Sequence, residues 1–168
     1  MKIAITGASG KTGYRISEEA VKKGYKVRQI IRKNSKVSEG LESLETIRVS
    51  LDKKGELDKA LKDIDALIIA TGATASLDLT GPEKFLRNSN FEWTIIRPGG
   101  LKEKEDIKSE NINYSKEDTQ INGSIPRRLV AQCFIDSLKN KESINKLIEV
   151  TSSNDNKKIS FKKAMQMI

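Results

Sequence analysis

Three glycines at three-residue spacing, Gly7, Gly10 and Gly13, form the pattern in this chain that most directly suggests chemistry. Ala8, Ser9, Lys11 and Thr12 fill the gaps between them, so the stretch carries no bulky apolar side chain. Backbone N–H groups in such a stretch can approach an anion that side chains would hold away. The apolar run Ile3-Ala4-Ile5 precedes it and an amphipathic segment follows. Strand, tight turn and helix in that order put the partly positive start of a helix at the turn, where phosphate oxygens are stabilised. The spacing G-x-x-G-x-x-G departs by one residue from the G-x-G-x-x-G dinucleotide fingerprint. Gly10-Lys11-Thr12 also imitates the end of a P-loop, but that motif requires glycine where the chain has Ile5. The turn is expected to hold a dinucleotide through Gly7, Ala8, Ser9, Gly10, Lys11, Thr12 and Gly13. A P-loop and a purely structural turn are the alternatives.

A second group of residues bears on which dinucleotide. The strand expected over residues 26–31 ends in Arg32-Lys33-Asn34-Ser35-Lys36. In a dinucleotide fold this position faces the adenosine ribose, where an acid accepts hydrogen bonds from a free 2′-hydroxyl. No acid stands here. A guanidinium matches a 2′-phosphate with paired, charge-assisted bonds, so Arg32 and Lys33 favour NADP(H) over NAD(H), with ordinary surface charge as the alternative. Two further loops are expected to meet the cofactor. Ala70-Thr71-Gly72 closes a near-continuous apolar run that reads as a parallel strand buried on both faces, beside the opening turn. Arg97, Pro98 and Gly99 end the strand expected over 91–97, where backbone can bracket a nicotinamide.

Catalytic residues are not identifiable. The chain has no histidine, which removes Ser-His-Asp triads, imidazole acid–base chemistry and histidine metal sites; no metal is expected. Tyr114 is a candidate proton donor or a plain loop tyrosine. Cys133, the single cysteine, sits on a helix face among apolar residues and is expected to be a buried structural residue rather than a reactive thiol.

These residues need elements to hold them. After the glycine turn, Ile16, Ala20 and Val21 recur at helical spacing and Gly24 is placed to end the helix. A strand follows over 46–49 and a helix over 56–64 with Leu57, Ala60, Leu61 and Ile64 inward. Residues 74–81 read as a polar loop and 82–88 as a short helix. Residues 102–123 are highly charged without clear periodicity and are expected to form a mobile loop over the rim of the site. Ser124-Ile125-Pro126 is expected to open a helix with proline in its first turn, 147–152 a last strand, and Ser160 to cap a terminal helix. Strands alternating with helices predict an α/β fold, a Rossmann-type doubly wound, mostly parallel sheet, in a single domain over 1–168.

Composition bounds the partners. Of 168 residues 32% are charged and 5% aromatic, with a net charge of +8. The basic residues are interleaved with acids, as in Lys102-Glu103-Lys104-Glu105-Asp106, and no basic run alternates with aromatics, so nucleic acid is not an expected partner. No apolar run approaches the ~20 residues of a membrane span. The first strand starts at once, leaving no room for a signal or transit peptide, and a cytoplasmic location is expected, or the stroma of a plastid.

With these residues in hand, the chain resembles the atypical short-chain dehydrogenase/reductase superfamily, in its NmrA-like, NAD(P)-binding branch of cyanobacteria and plastids. The resemblance rests on the segment from Thr6 to Gly13, on Arg28 to Arg32, and on Asp65 to Gly72. It continues in Trp93-Thr94-Ile95-Ile96-Arg97-Pro98-Gly99-Gly100-Leu101 and in Ser124-Ile125-Pro126-Arg127-Arg128-Leu129-Val130-Ala131. It implies a Rossmann-type sheet, bound NADP(H) and, in some members, reduction of a small carbonyl or alkene substrate. Two departures stand out. Relatives carry a further helix, strand and helix between Thr71 and Glu83, so a βαβ unit's worth of chain, ~30 residues or more, is missing and the sheet should be narrower. The Tyr-x-x-x-Lys set of standard members is also absent, since Tyr14, Tyr25 and Tyr114 are followed four residues later by Glu18, Gln29 and Asp118. Two functions follow from the resemblance: an NADPH-dependent reductase of a small-molecule substrate, or a non-catalytic NADP(H)-binding module that senses redox state or assists assembly of a protein partner.

Overall fold

Strand β1 (Lys2–Thr6) is apolar on both sides of its pleat and lies at the middle of the first sheet, with Ile3, Ala4 and Ile5 fully buried. The computed structural model describes residues 1–50, 53–70, 84, 86–102, 111–119, 122–155 and 157–168. The chain packs as two compact units, Met1–Gly72 and Ala73–Ile168.

The first unit runs β1, α1 (Lys11–Lys22), β2 (Lys26–Arg32), β3 (Glu45–Val49), α2 (Lys54–Ala60) and β4 (Ala66–Ile69). Its four strands are all parallel, in the order β3-β2-β1-β4. That order is one half of a doubly wound sheet. In the register Thr6 lies opposite both Ile30 and Ile69, so the C-terminal ends of three strands finish at one edge. On one side of the pleat Ala4, Ile30 and Val49 pack with Ala60 of α2. Ile3 and Ile5 face the other side, and α1, with Ile16 and Ala20 buried, packs on β1 and β2. Gly24 ends α1 as its sequence predicts, at φ +78°. Its N–H donates to Val21 O at 2.9 Å and that of Tyr25 to Ala20 O at 3.1 Å, the paired bonds of a Schellman motif.

Buried Arg28 ties the elements together. Its Nε donates to Glu45 Oε1 at 2.9 Å, and its Nη1 donates to Ala60 O and Lys62 O, each at 2.8 Å. A cation thus satisfies carbonyls at the C-terminal end of α2 that no helical N–H reaches. β4 departs from expectation. Ile68 is buried, but Leu67 is 41% and Ile69 55% exposed, so only one of its faces is covered. α1 packs on β1 and β2 and α2 on β3, which leaves the Leu67–Ile69 side of the outermost strand bare.

The second unit contains β5 (Thr94–Pro98), β6 (Gly100–Lys102), β7 (Asn111–Lys116), β8 (Ser124–Pro126), α3 (Arg127–Ser137), β9 (Lys146–Ser153) and α4 (Phe161–Met167). β9 is central, parallel to β5 and antiparallel to β7, and β6 pairs with β8 in parallel. Ile96, Ile148 and Val150 pack with Leu129, Cys133, Phe161 and Met165 in one core. Ser160 caps α4, its Oγ accepting from Lys163 N–H at 3.2 Å. Two expectations are corrected. Residues 111–116, within the stretch read as a mobile loop, form β7, because Ile112 and Tyr114 alternate with polar residues and pack against that core. Pro126 precedes α3 as its N-cap, at ψ 142°, and belongs to β8; the helix starts one residue later than its sequence suggests. Residues 71–83 and 103–110, which include the expected polar loop, lie outside the described residues.

Candidate functional site

The glycine turn is built by three glycines doing three different things. Gly7 takes φ +71°, a conformation that strains any residue with a Cβ. Its carbonyl accepts the Gly10 N–H at 2.9 Å and closes the turn. Gly10, extended at φ −86° and ψ 161°, is the N-cap of α1. Gly13 is the third residue of the helix, and a Cβ there would lie 2.2 Å from Gly7 O and 2.7 Å from Gly7 C. Helix backbone therefore rests directly on turn backbone. Ala8 is fully buried beneath the turn, whereas Ser9, Gly10 and Lys11 are exposed and Thr12 half-buried, so residues 9–11 form an open crest.

The start of α1 has no side-chain cap and no acid in its first turn. Nothing acidic there offsets the positive end of a 12-residue helix. Thr6 Oγ1, just before the turn, is buried without a hydrogen-bond partner among the described residues. Ala70 N–H donates to Thr6 O at 3.1 Å, which carries the end of β4 to the base of the turn as expected. Thr71 and Gly72 lie outside the described residues.

The basic end of β2 divides in two. Arg32 is exposed and has no ion-pair partner among the described residues. Lys33 is engaged: its Nζ lies 3.1 Å from Glu56 Oε1. The other carboxylate oxygen of Glu56 accepts Ser50 N–H at 2.9 Å, and these two donors, the backbone first, hold that carboxyl below its ordinary range. Sequence reasoning overlooked both Glu56 and Arg48, whose Nη1 donates to the carbonyls of Lys33 and Ser35. The only signal in the sequence was an arginine one position before the end of β3.

In the second unit Pro98 lies opposite Val150 at the end of β5, and Gly99 N–H donates to Val150 O at 2.9 Å. Arg97 serves a structural bond: its Nη1 donates to Glu149 Oε1 at 3.1 Å and to Asp118 Oδ1 at 3.0 Å. Glu149 Oε2 accepts Thr119 N–H at 3.2 Å, so β5, β9 and the turn after β7 are braced around one buried carboxylate. Tyr114 meets Phe161 edge to face, 5.6 Å between ring centres. Burial, and after it the neighbouring Cys133, raises its pKa, opposite to the shift that suits a proton-transfer group at neutral pH. Cys133 is fully buried and burial pushes its thiol up to about 12. Among the described residues no helix is long and apolar enough to cross a membrane.

Comparison with known proteins adds independent findings. The sequence profile of the NAD(P)H-binding family matches residues 7–82 and 80–141. An uncharacterized chloroplastic protein of Arabidopsis thaliana is 25% identical over 228 aligned positions, covering 96% of this chain and 80% of that protein. The chloroplastic protein TIC 62 of Pisum sativum is 24% identical over 88% of this chain, which spans 42% of that protein's length. A short-chain dehydrogenase/reductase of Veillonella parvula, solved in complex with NADP, superposes with a TM-score of 0.75 over 95% of this chain and 99% of its own, at 17% identity. That likeness shows a shared Rossmann-like fold.

Proposed function

The chain belongs to the NAD(P)H-binding family, and from that premise we propose that it is an NADP(H)-binding protein of the atypical short-chain dehydrogenase/reductase type, in the NmrA-like branch. The observation that carries the choice of cofactor is Arg32, an exposed guanidinium without an ion-pair partner among the described residues, standing where an acid would serve a free 2′-hydroxyl. In this reading Gly7 and Gly13 shape the turn, and backbone N–H groups over Ala8, Ser9, Gly10, Lys11 and Thr12 receive the pyrophosphate. Ala70, Thr71 and Gly72 give passage to the ribose and ring. Lys33, next to Arg32, is committed to a carboxylate. The cofactor, when bound, supplies hydride transfer.

The chain acts as a single domain, which the family match supports by running from residue 7 to residue 141 across both units. It lacks one helix-strand-helix between Thr71 and Glu83. Three observations support that shortening. The family profile matches in two stretches that meet at residues 80–82. The Arabidopsis alignment runs over 228 positions, against 168 residues here. β4 has the sequence of a strand buried on both faces yet leaves Leu67 and Ile69 bare.

Binding without catalysis is the role the described residues favour. No tyrosine has a lysine four residues on, and Tyr114, the one candidate donor, is turned into the core with a raised pKa. A reductase reading draws on the likeness in fold to the Veillonella short-chain dehydrogenase/reductase, and its proton would come from solvent. The chloroplastic designation of both relatives supports a plastid setting.

Titration calorimetry with NADPH, NADH and 2′,5′-ADP tests the reading. NADPH is expected to bind more tightly than NADH, and Arg32→Ala to lose about 1.5–3 kcal/mol for NADPH alone, the worth of a hydrogen bond to a charged group. Equal affinity for the two cofactors in the wild-type protein would falsify the assignment of Arg32. NADPH oxidation with small carbonyl or alkene acceptors separates the reductase from the binder.

A further inference from the structure

The turns that follow β2 and β3 emerge side by side, since Arg32 lies opposite Val49. The first turn is closed on itself by Ser35 N–H donating to Arg32 O at 3.0 Å. It is then tied down from β3: one nitrogen of Arg48, Nη1, donates to Lys33 O at 3.2 Å and also to Ser35 O. From the turn, Lys33 reaches across to Glu56, which in turn holds the Ser50 N–H. What the turn after β2 contributes to these ties is backbone and the Lys33 side chain. None uses the guanidinium of Arg32, which stays exposed.

We propose that Arg48 is a positioning residue for cofactor choice: by holding the carbonyls on both sides of Asn34 it fixes the backbone that presents Arg32 to a 2′-phosphate. This rests on the reading that Arg32 receives that phosphate. The physical reason is pre-organisation. A loose turn must be ordered when the ligand binds, and that cost is subtracted from affinity, whereas a turn locked during folding has already met it. Arginine suits the task because its planar, many-donor head serves two acceptors in a fixed geometry, while lysine carries the same charge on a single freely rotating ammonium. Since the turn touches the ribose end of a dinucleotide, its order matters for the phosphorylated cofactor and hardly for the other.

The experiment is calorimetric titration of NADPH and NADH against the wild-type protein, Arg32→Ala, Arg48→Ala, Arg48→Lys and the double variant, each first shown by thermal melting to be folded. Arg48→Ala and Arg48→Lys should each lose about three- to tenfold in NADPH affinity, the scale of ordering one long side chain, with NADH affinity unchanged. Because Arg48 acts through Arg32, adding Arg48→Ala to Arg32→Ala should leave the NADPH-to-NADH ratio where Arg32→Ala put it. Retained NADPH affinity in Arg48→Lys would mean that charge alone suffices, and a further loss in the double variant would mean direct phosphate contact; either overturns the proposal. So does an equal loss for both cofactors, the mark of a purely structural role. A ratio that falls in Arg32→Ala and keeps its wild-type value in Arg48→Ala sinks this proposal alone. A ratio unchanged in Arg32→Ala sinks the underlying reading and the proposal with it.

Discussion

At the scale of single residues, the turn rests on a contact that no side chain makes, the backbone of Gly13 against that of Gly7. A Cβ at Gly13 meets a carbonyl oxygen at 2.2 Å and a second backbone atom at 2.7 Å, and neither belongs to a side chain that can swing aside. Gly13→Ala should therefore destabilise the protein by about 1–3 kcal/mol, the usual range for forced overpacking, and abolish nucleotide binding. Gly55 is the control: it lies in α2 with nothing within 4 Å of a built Cβ, so Gly55→Ala should raise stability by about 0.5 kcal/mol through reduced chain entropy. Urea titration of the two variants reads both signs, and a neutral Gly13→Ala would contradict the close approach. The importance of the glycines was legible in the sequence, but their division of labour was not, because only the folded turn shows which one lacks room and which one needs a positive φ. The lock on Arg32 was less legible still. Arg48 bonds to carbonyl oxygens, which every residue carries, so no residue type announces the acceptors.

At the scale of elements, Arg28 joins β2, β3 and the end of α2 through hydrogen bonds to Glu45, Ala60 and Lys62. Replacing it with a side chain of similar length but no donors, Arg28→Met, leaves two carbonyls and a carboxylate without that partner. The expected cost is about 2–3 kcal/mol, read as a lower urea midpoint. The same bonds set a pH dependence. Arg28, and after it Lys2, holds the Glu45 carboxyl below its ordinary value. A depressed folded pKa contributes stability that is fully present above the unfolded value of about 4.3 and fades as pH falls through the folded one. The wild-type protein should lose stability as pH falls below about 4, and Arg28→Met should show a shallower fall over the same window. A parallel fall in both would remove Arg28 from that role. The strands and helices of the first unit could be read from their own apolar runs and helical spacing, although β1 finds one of its partners, β4, about sixty residues later. β7 escaped notice because Asn111 to Lys116 borders the charged run that begins at Lys102; only its antiparallel partner β9, which starts at Lys146, gives Ile112 and Tyr114 a core to face.

At the scale of the whole molecule, the α/β class, the parallel order of the first sheet and the place of the glycine turn all follow from strand-helix alternation. Leu67 and Ile69 are 41% and 55% exposed on the outermost strand of the first sheet, an observation in keeping with the proposed shortening. That exposure has a colloidal consequence. Bare apolar side chains on an edge strand invite pairing with another copy, while a net charge of +8 makes copies repel. The repulsion reaches about 8 Å at physiological ionic strength and only about 3 Å at 1 M salt. Light scattering should accordingly show self-association that grows with salt, and Ile69→Lys, adding charge where the surface is apolar, should suppress it; scattering independent of salt in both proteins would refute this. The protein would then owe its dispersal in solution less to how well it covers its apolar surface than to the excess of lysine and arginine spread around it.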